Sequence, residues 1–298
     1  MRTSFIEQLV IEARKNEHIF LLVGDLGYNV VEPFANEFPD RFINVGIAEQ
    51  NMAGIAGGLA MNGWVVYCYS IGNFPTLRCI EQIRNDIAYY NSNVRVVSVG
   101  AGYAYGSQGV SHQATEEIGM LRTLPNMVVC SPSDPVETKR IVQLSVTHQG
   151  PMYIRLGKAG EKVFHTDDIS QCQVGDLLPI VEAHADTLVL TSGSILARVM
   201  EAVGDGRLSA DVYTVPFVKP LNRRQVCSLV THYRQVIVVE ENQLSAGIGS
   251  AIIELLSDAY NAGDLAAYPK VRRVAIRDEF LKVAGSQRYL QEAAGLIL

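Results

Sequence analysis

The sequence predicts an α/β protein built from two doubly wound domains with mainly parallel sheets. Three observations carry that prediction. Short apolar runs alternate with helix-like segments, the pattern of buried strands joined by crossover helices. Several runs end in Gly or Ser where the next element begins, at the edge where open parallel sheets bind ligands. The alternation stops after residue 157 and restarts near residue 187, so two sheets are expected. The length of 298 residues agrees, since a domain takes roughly 150 residues.

In chain order, an amphipathic helix over 3–15 comes first. Strands are expected at HIFLLVGD (18–25), FINVG (42–46), WVVYCYS (64–70), VRVVSVG (94–100), NMVVCSP (126–132) and MYIRLG (152–157). Helices are expected between them at 47–62, 74–90, 115–123 and 134–148. Residues 158–185 mix charges, polar residues and short apolar patches without a period, and read as a linker with room for one edge strand. The pattern resumes with TLVLTSGS (187–194), a helix at 195–204, ADVYTVPF (210–217), a helix at 222–231, QVIVVEEN (235–242), a helix from Gly249 to Asn261, and VRRVAI (271–276). The expected division is residues 1–165 for the first domain, 166–185 for the linker and 186–298 for the second domain.

Composition narrows the classes of function. Hydrophobic residues make up 48% and Gly numbers 25, which excludes a disordered or fibrous chain. A net charge of −6 argues against nucleic acid or an anionic membrane as the main partner. The five cysteines are odd in number, widely spaced and without a C-x-x-C. Buried free thiols in a reducing cytosol are expected, and hence a cytoplasmic location. The N-terminal segment carries acidic residues and lacks the apolar core of a signal peptide. No run approaches the ~18 apolar residues of a membrane span.

Chemistry concentrates in RFINVGIAEQNMAGIAGGLAMN (41–62). A helix this rich in Gly loses ~1 kcal/mol per Gly relative to Ala, so close packing is the expected compensation. Glu49 stands at its start. A buried carboxylate there suits proton transfer near neutral pH; the plain alternative is a first-turn Glu favoured by the helix dipole. His112 lies in the loop YAYGSQGVSHQATEE (103–117), as a general acid or base or as a helix-capping residue. Phe74 and Tyr69 flank a strand-to-helix turn, offering a face to a flat ring or simply joining the core. Arg155 at a strand end is either an anion ligand or a surface residue.

In this order and spacing the segments resemble the transketolase family of thiamine-diphosphate enzymes. The resemblance rests on GIAEQNMAGIAGGLA (46–60), SHQ (111–113), LRTLPNMVVCSPSDPVET (121–138), VPFVKPL (215–221) and VVEENQLSAGIGSAI (238–252). The last two lie especially close to the C-terminal half of deoxyxylulose-phosphate synthase. The resemblance identifies the two domains as a thiamine-diphosphate pyrimidine-binding domain and a transketolase C-terminal domain. It implies that Glu49 bonds a ring nitrogen of the aminopyrimidine and drives the amino-to-imino change that activates the cofactor. It implies Phe74 stacking on the pyrimidine, with Ile71 and Leu77 where further pocket aromatics often stand. His112 matches a histidine at the reacting carbonyl, and Arg155 an arginine on a substrate phosphate. Arg2 and Asn29 fall at two more phosphate-end positions. Gln108 replaces an acid that contacts a substrate hydroxyl, and Gly100 stands where the family usually has a second histidine. A modified sugar or a different ketol or acyl donor fits those departures.

The family holds Mg²⁺ and diphosphate through a Gly-Asp-Gly run and a downstream Asn pair. GDLGYN (24–29) is the nearest string and lacks the second Gly and the Asn pair. No metal ligand is therefore expected here. The resemblance implies a split, heterotetrameric (α2β2) enzyme of carbohydrate metabolism. This chain would pair with its own copy and bind the pyrimidine end of thiamine diphosphate. A separate N-terminal subunit would bind diphosphate and Mg²⁺, and a sugar or sugar phosphate would be the substrate. The competing readings are a beta subunit of a 2-oxo-acid dehydrogenase or an acyl transferase like deoxyxylulose-phosphate synthase, and a non-catalytic assembly subunit.

Overall fold

A computed structural model describes residues 1–297. Strands β1 (Ile19–Val23), β2 (Phe42–Asn44), β3 (Val65–Ile71), β4 (Val94–Val99), β5 (Val128–Cys130) and β6 (Met152–Leu156) all pair in parallel. They are the six runs expected in the first half. β7 (Leu178–Val181), β8 (Thr187–Ser192), β9 (Asp211–Thr214), β10 (Phe217–Lys219), β11 (Gln235–Gln243) and β12 (Lys270–Ile276) follow. The sheets run β10-β5-β6-β4-β3-β1-β2 and β12-β11-β8-β9-β7.

Continuous apolar runs form the first sheet because both its faces are covered. Ile19, Leu21 and Val23 of β1 join a core with Phe5, Leu9, Ile141 and Val142 from the helices Arg2–Lys15 and Pro135–Thr147. Phe20 and Leu22 join the opposite core with Met52, Ala53 and Ala56 of the helix Glu49–Met61. That second core continues into the other domain through Val218, Val226, Ile248 and Ile252.

Three elements differ from expectation. The helix expected over 74–90 starts only at Ile80 and widens into a π-turn over Ile83–Ala88. Pro75 disfavours helical geometry at Phe74, and the segment before Ile80 instead makes turn bonds, such as Arg78 N to Asn73 O, and a 3-10 turn over Leu77–Cys79. The single strand expected over 210–217 breaks into β9 and β10. Pro216 has no N–H for a ladder, its carbonyl accepts from Ser131 N, and β10 crosses to pair antiparallel with β5 of the first sheet. Last, a helix at Gln287–Ala293, capped by Ser286, closes the second domain. Within the linker, β7 pairs antiparallel with β9 as an edge strand. The five cysteines are buried and unpaired.

Glycine spacing explains how the small-residue helix packs. A Cβ on Gly57 would stand 2.8 Å from Asp86 O, so only Gly lets the helix Glu49–Met61 meet the π-turn. Gly54 and Gly58 face open space. Gly57→Val is expected to lower stability by about 2 kcal/mol through overpacking. Gly54→Ala is expected to raise it by roughly 0.5–1 kcal/mol through helix propensity. Equilibrium urea unfolding of the isolated chain reads both.

A buried acid cluster fastens the linker. Asp134 caps the helix Pro135–Thr147 through Val136 N and Glu137 N, each at 2.9 Å. Its other oxygen accepts from Phe164 N at 2.9 Å and His165 N at 3.0 Å. Burial works against the Asp134 charge, but these donors and the His165 ring hold its pKa down at about 2. Burial pushes Glu137, 3.4 Å from His165 Nε2, up to about 7. His165, despite burial, is held above its usual range by Asp134 and Glu137. Glu137 thus favours the fold below its unfolded pKa of 4.5 and loses that contribution as pH rises through about 7. His165 acts in the same direction. In urea midpoints between pH 4.5 and 7, Glu137→Gln is expected to flatten the decline. A variant that declines as steeply as the parent chain would remove Glu137 from the response.

Candidate functional site

The strand order places the site. β1 has β2 on one side and β3 on the other, so the connections after β1 and β3 leave in opposite directions and open a crevice. Gly24 follows β1, Ile71 ends β3, and Gly72 to Phe74 follow it. Glu49 enters this crevice from the first turn of its helix, where the dipole favours a carboxylate. It is 2% exposed. A Cβ at Gly24 would lie 3.4 Å from both Glu49 Cγ and Ser70 Oγ. The glycine therefore keeps the carboxylate close to the end of β1.

Among the described residues Glu49 has one charged partner. Arg78 Nη1 donates to Glu49 Oε2 at 2.8 Å. The same guanidinium lies 4.6 Å from the Phe74 ring centroid. Phe74 in turn meets His112 edge-to-face at 5.3 Å. Glu49, Arg78, Phe74 and His112 thus form one connected cluster across two loops. Those loops are also tied by the Asn73 side chain, whose Nδ2 donates to Gln113 O at 2.5 Å. Ser111 Oγ lies 3.0 Å from His112 Nδ1. Burial and the neighbouring Glu49 charge push Cys79 up to about 12, so that thiol stays protonated beside the site. Ser70 Oγ and Asn73 Oδ1 are enclosed without a hydrogen-bond partner, an arrangement that suits a polar ligand.

The other predicted residues scatter more widely. Ile71 and Leu77 are half-buried on either side of Phe74 in the chain. Arg2 opens the first helix, donates its N–H to Lys158 O at 3.1 Å, and keeps its Nε enclosed without a partner. Asn29 is exposed at φ 60° and donates its N–H to Glu32 at 2.7 Å. Gln108 is exposed in the turn Gly106–Gln108. At Gly100, a Cβ would fall 2.4 Å from the Tyr105 ring with φ at +99°, so the Tyr105 ring fills the place of a side chain.

Of the two expectations for Arg155, the structure sets aside the surface residue. It is 2% exposed, and its Nε donates to buried Glu117 at 2.5 Å. Its Nη2 donates to Ala114 O at 2.7 Å and Glu241 O at 2.9 Å. Burial opposes its charge, but Glu117 holds the pKa above the usual value. The guanidinium bonds groups of both domains.

Sequence reasoning passed over Arg78, Tyr105 and Glu241. Arg78 carried no motif, only its place four residues after Phe74. Tyr105 could have been suspected from the bare Gly100 beside it. Among the described residues no helix is long and apolar enough to cross a membrane.

Comparison with known proteins adds to this geometry. Residues 1–160 match the family described as "Transketolase, pyrimidine binding domain". Residues 177–296 match "Transketolase, C-terminal domain". The chain is 30% identical to a subunit of the apulose-4-phosphate transketolase of Phocaeicola vulgatus, over 86% of this chain and 83% of that one. It is 30% identical to a 6-deoxy-6-sulfo-D-fructose transketolase subunit of Clostridium sp., over 99% of this chain and 90% of that one. A solved structure described as "Split gene transketolase, inactive beta4 tetramer" superposes with a TM-score of 0.83 at 32% identity, covering 99% of this chain and 93% of that one.

The Glu49–Arg78 pair yields a stability test. Arg78 is 45% exposed, so solvent screening limits the pair to ~1 kcal/mol. A double-mutant cycle of Arg78→Met and Glu49→Gln is expected to show favourable coupling of about that size in urea unfolding. Strict additivity would show that the contact contributes nothing.

Proposed function

The chain belongs to the transketolase family, and from that membership we propose that it is the pyrimidine-end subunit of a split thiamine-diphosphate enzyme. It transfers a two-carbon ketol unit between sugar or sugar-phosphate substrates. One observation carries the reading: a buried carboxylate, Glu49, set at the crevice between β1 and β3 and connected through Arg78 and Phe74 to His112.

The residues fit the pyrimidine end of the cofactor. Glu49 supplies a carboxylate, Phe74 a flat face, and Ser70 and Asn73 enclosed polar atoms without partners. Bound thiamine diphosphate would supply the nucleophilic carbon that takes up the two-carbon unit. Glu49 holds and moves a proton at a ring nitrogen, helped by an apolar helix that keeps water away. Ile71, Phe74 and Leu77 line the ring. His112 donates to the reacting carbonyl. Arg155, Arg2 and Asn29 serve the phosphate end of the substrate, Arg155 while held by Glu117 and Ala114, and Gln108 stands where a substrate hydroxyl is contacted. Relatives named for apulose-4-phosphate and 6-deoxy-6-sulfo-D-fructose support a donor other than a standard ketopentose phosphate.

The diphosphate and Mg²⁺ are assigned to a separate N-terminal subunit in a cytoplasmic α2β2 assembly. Relatives named as subunits support a partner chain. So do the open Gly54 and Gly58 and the exposed Met61 (72%) of the helix Glu49–Met61, with Ile47 (79% exposed) just before it. The test is turnover by this chain with and without a partner chain carrying a Gly-Asp-Gly run. Activity is expected only with the partner, and Glu49→Gln is expected to lower it by ~100-fold or more. Turnover by this chain alone with Mg²⁺ and thiamine diphosphate would defeat the partner requirement. Unchanged turnover in Glu49→Gln would leave an assembly subunit instead.

A further inference from the structure

His112 sits on a loop whose base is closed by the backbone. Gly102 N donates to Ala114 O at 2.8 Å, and Ala114 N to Gly102 O at 3.0 Å. Both stems are held by the end of β11, in the other domain. Glu241 accepts from Tyr103 N on the first stem at 2.7 Å. The approach is so close that a Cβ on Gly102 would stand 2.5 Å from Glu241 Cγ, with φ at +58°. On the second stem, Arg155 Nη2 bridges Ala114 O at 2.7 Å and Glu241 O at 2.9 Å.

The C-terminal segment locks the same carboxylate from behind. Gln287 Nε2 and Gln291 Nε2 donate to Glu241 Oε2 at 2.9 and 2.8 Å. Gln287 also donates to Ser194 Oγ at 3.2 Å. Gly285 N donates to Gly106 O at 3.3 Å, and a Cβ on Gly106 would fall 2.1 Å from Leu290. In the second sheet β8 lies between β9 and β11, so the crevice beyond β8 and β11 is where an open parallel sheet would take a ligand. Here Tyr103, Glu241 and Gln287 meet in it.

We propose that Glu241 is a positioning residue, through which the second domain sets the place of the His112 loop against the first sheet. Its catalytic consequence rests on the reading that His112 acts at the substrate carbonyl. A loop held at both stems keeps His112 within the small displacement that proton transfer tolerates, since ~1 Å of misplacement costs roughly 10²-fold in rate. Glu241 itself is 2% exposed and lies behind the loop.

Hydrogen exchange of the isolated chain tests the positioning without any activity. Glu241→Ala is expected to speed exchange over residues 103–113 by ~10-fold or more while β1, β3 and β4 stay protected. Glu241→Gln, which keeps an acceptor for Tyr103 N, is expected to restore most of the protection. Gln287→Ala, at a half-buried position, is expected to give a smaller rise confined to the same loop, and serves if Glu241→Ala does not fold. In the reconstituted complex, Glu241→Ala is expected to lower kcat by ~10-fold or more with little change in KM, and Glu241→Gln to recover it. Unchanged exchange over 103–113, or a rise spread evenly over the chain in the milder variants, would overturn the proposal. So would a loosened loop with unchanged kcat. A complex inactive even with the parent chain would count against the proposed function, while the exchange result would still decide the positioning.

Discussion

The Arg155 guanidinium is the point on which the two domains depend. It rises from β6 of the first sheet, is neutralised by Glu117 on the helix after the His112 loop, and reaches the main chain of β11 in the second sheet. A buried cation is tolerable only when paired and hydrogen-bonded, and removing one partner from such a pair typically costs roughly 3–5 kcal/mol. That requirement holds strand, loop and second domain in one arrangement. The crossing of β10 into the first sheet and the apolar core running through the junction work in the same direction. The second domain is therefore part of the site's scaffold.

Within that scaffold, the residues of the proposed site sit where sheet topology opens a gap. Glu49 comes from a helix start, Phe74 from a proline-bent turn and His112 from a loop clipped at its base. None is close to another in sequence. Arg78 links the first two by lying over the Phe74 ring while bonding Glu49. A half-exposed arginine on a buried carboxylate neutralises the charge without sealing the crevice, which leaves room for a ligand to share or displace it.

The strands of the first sheet were readable because a parallel sheet covered on both faces needs uninterrupted apolar runs. Glu49 drew notice as a carboxylate at the head of a Gly-rich apolar helix, but its period did not tell a buried group from a first-turn Glu favoured by the dipole; its burial is tertiary. Arg155 shows the limit. Its place at a strand end suggested an anion ligand or a surface residue, and nothing local marks its burial or the Glu117 it pairs with. Likewise the run ADVYTVPF looks like one strand, and only its neighbours show that Pro216 sends the end of it to the other sheet. Periodicity reports which faces are buried and is silent on what covers them.

By itself the sequence determined the alternation of strands and helices, the two-sheet plan, and the residue types available for chemistry. Those follow from local period, turn residues and composition. Only the tertiary structure decided that Arg155 braces the domain junction and that Glu241 grips the His112 loop from the second domain. Each of these is a contact between residues far apart in the chain. Such contacts depend on how two finished domains pack, which no local pattern encodes.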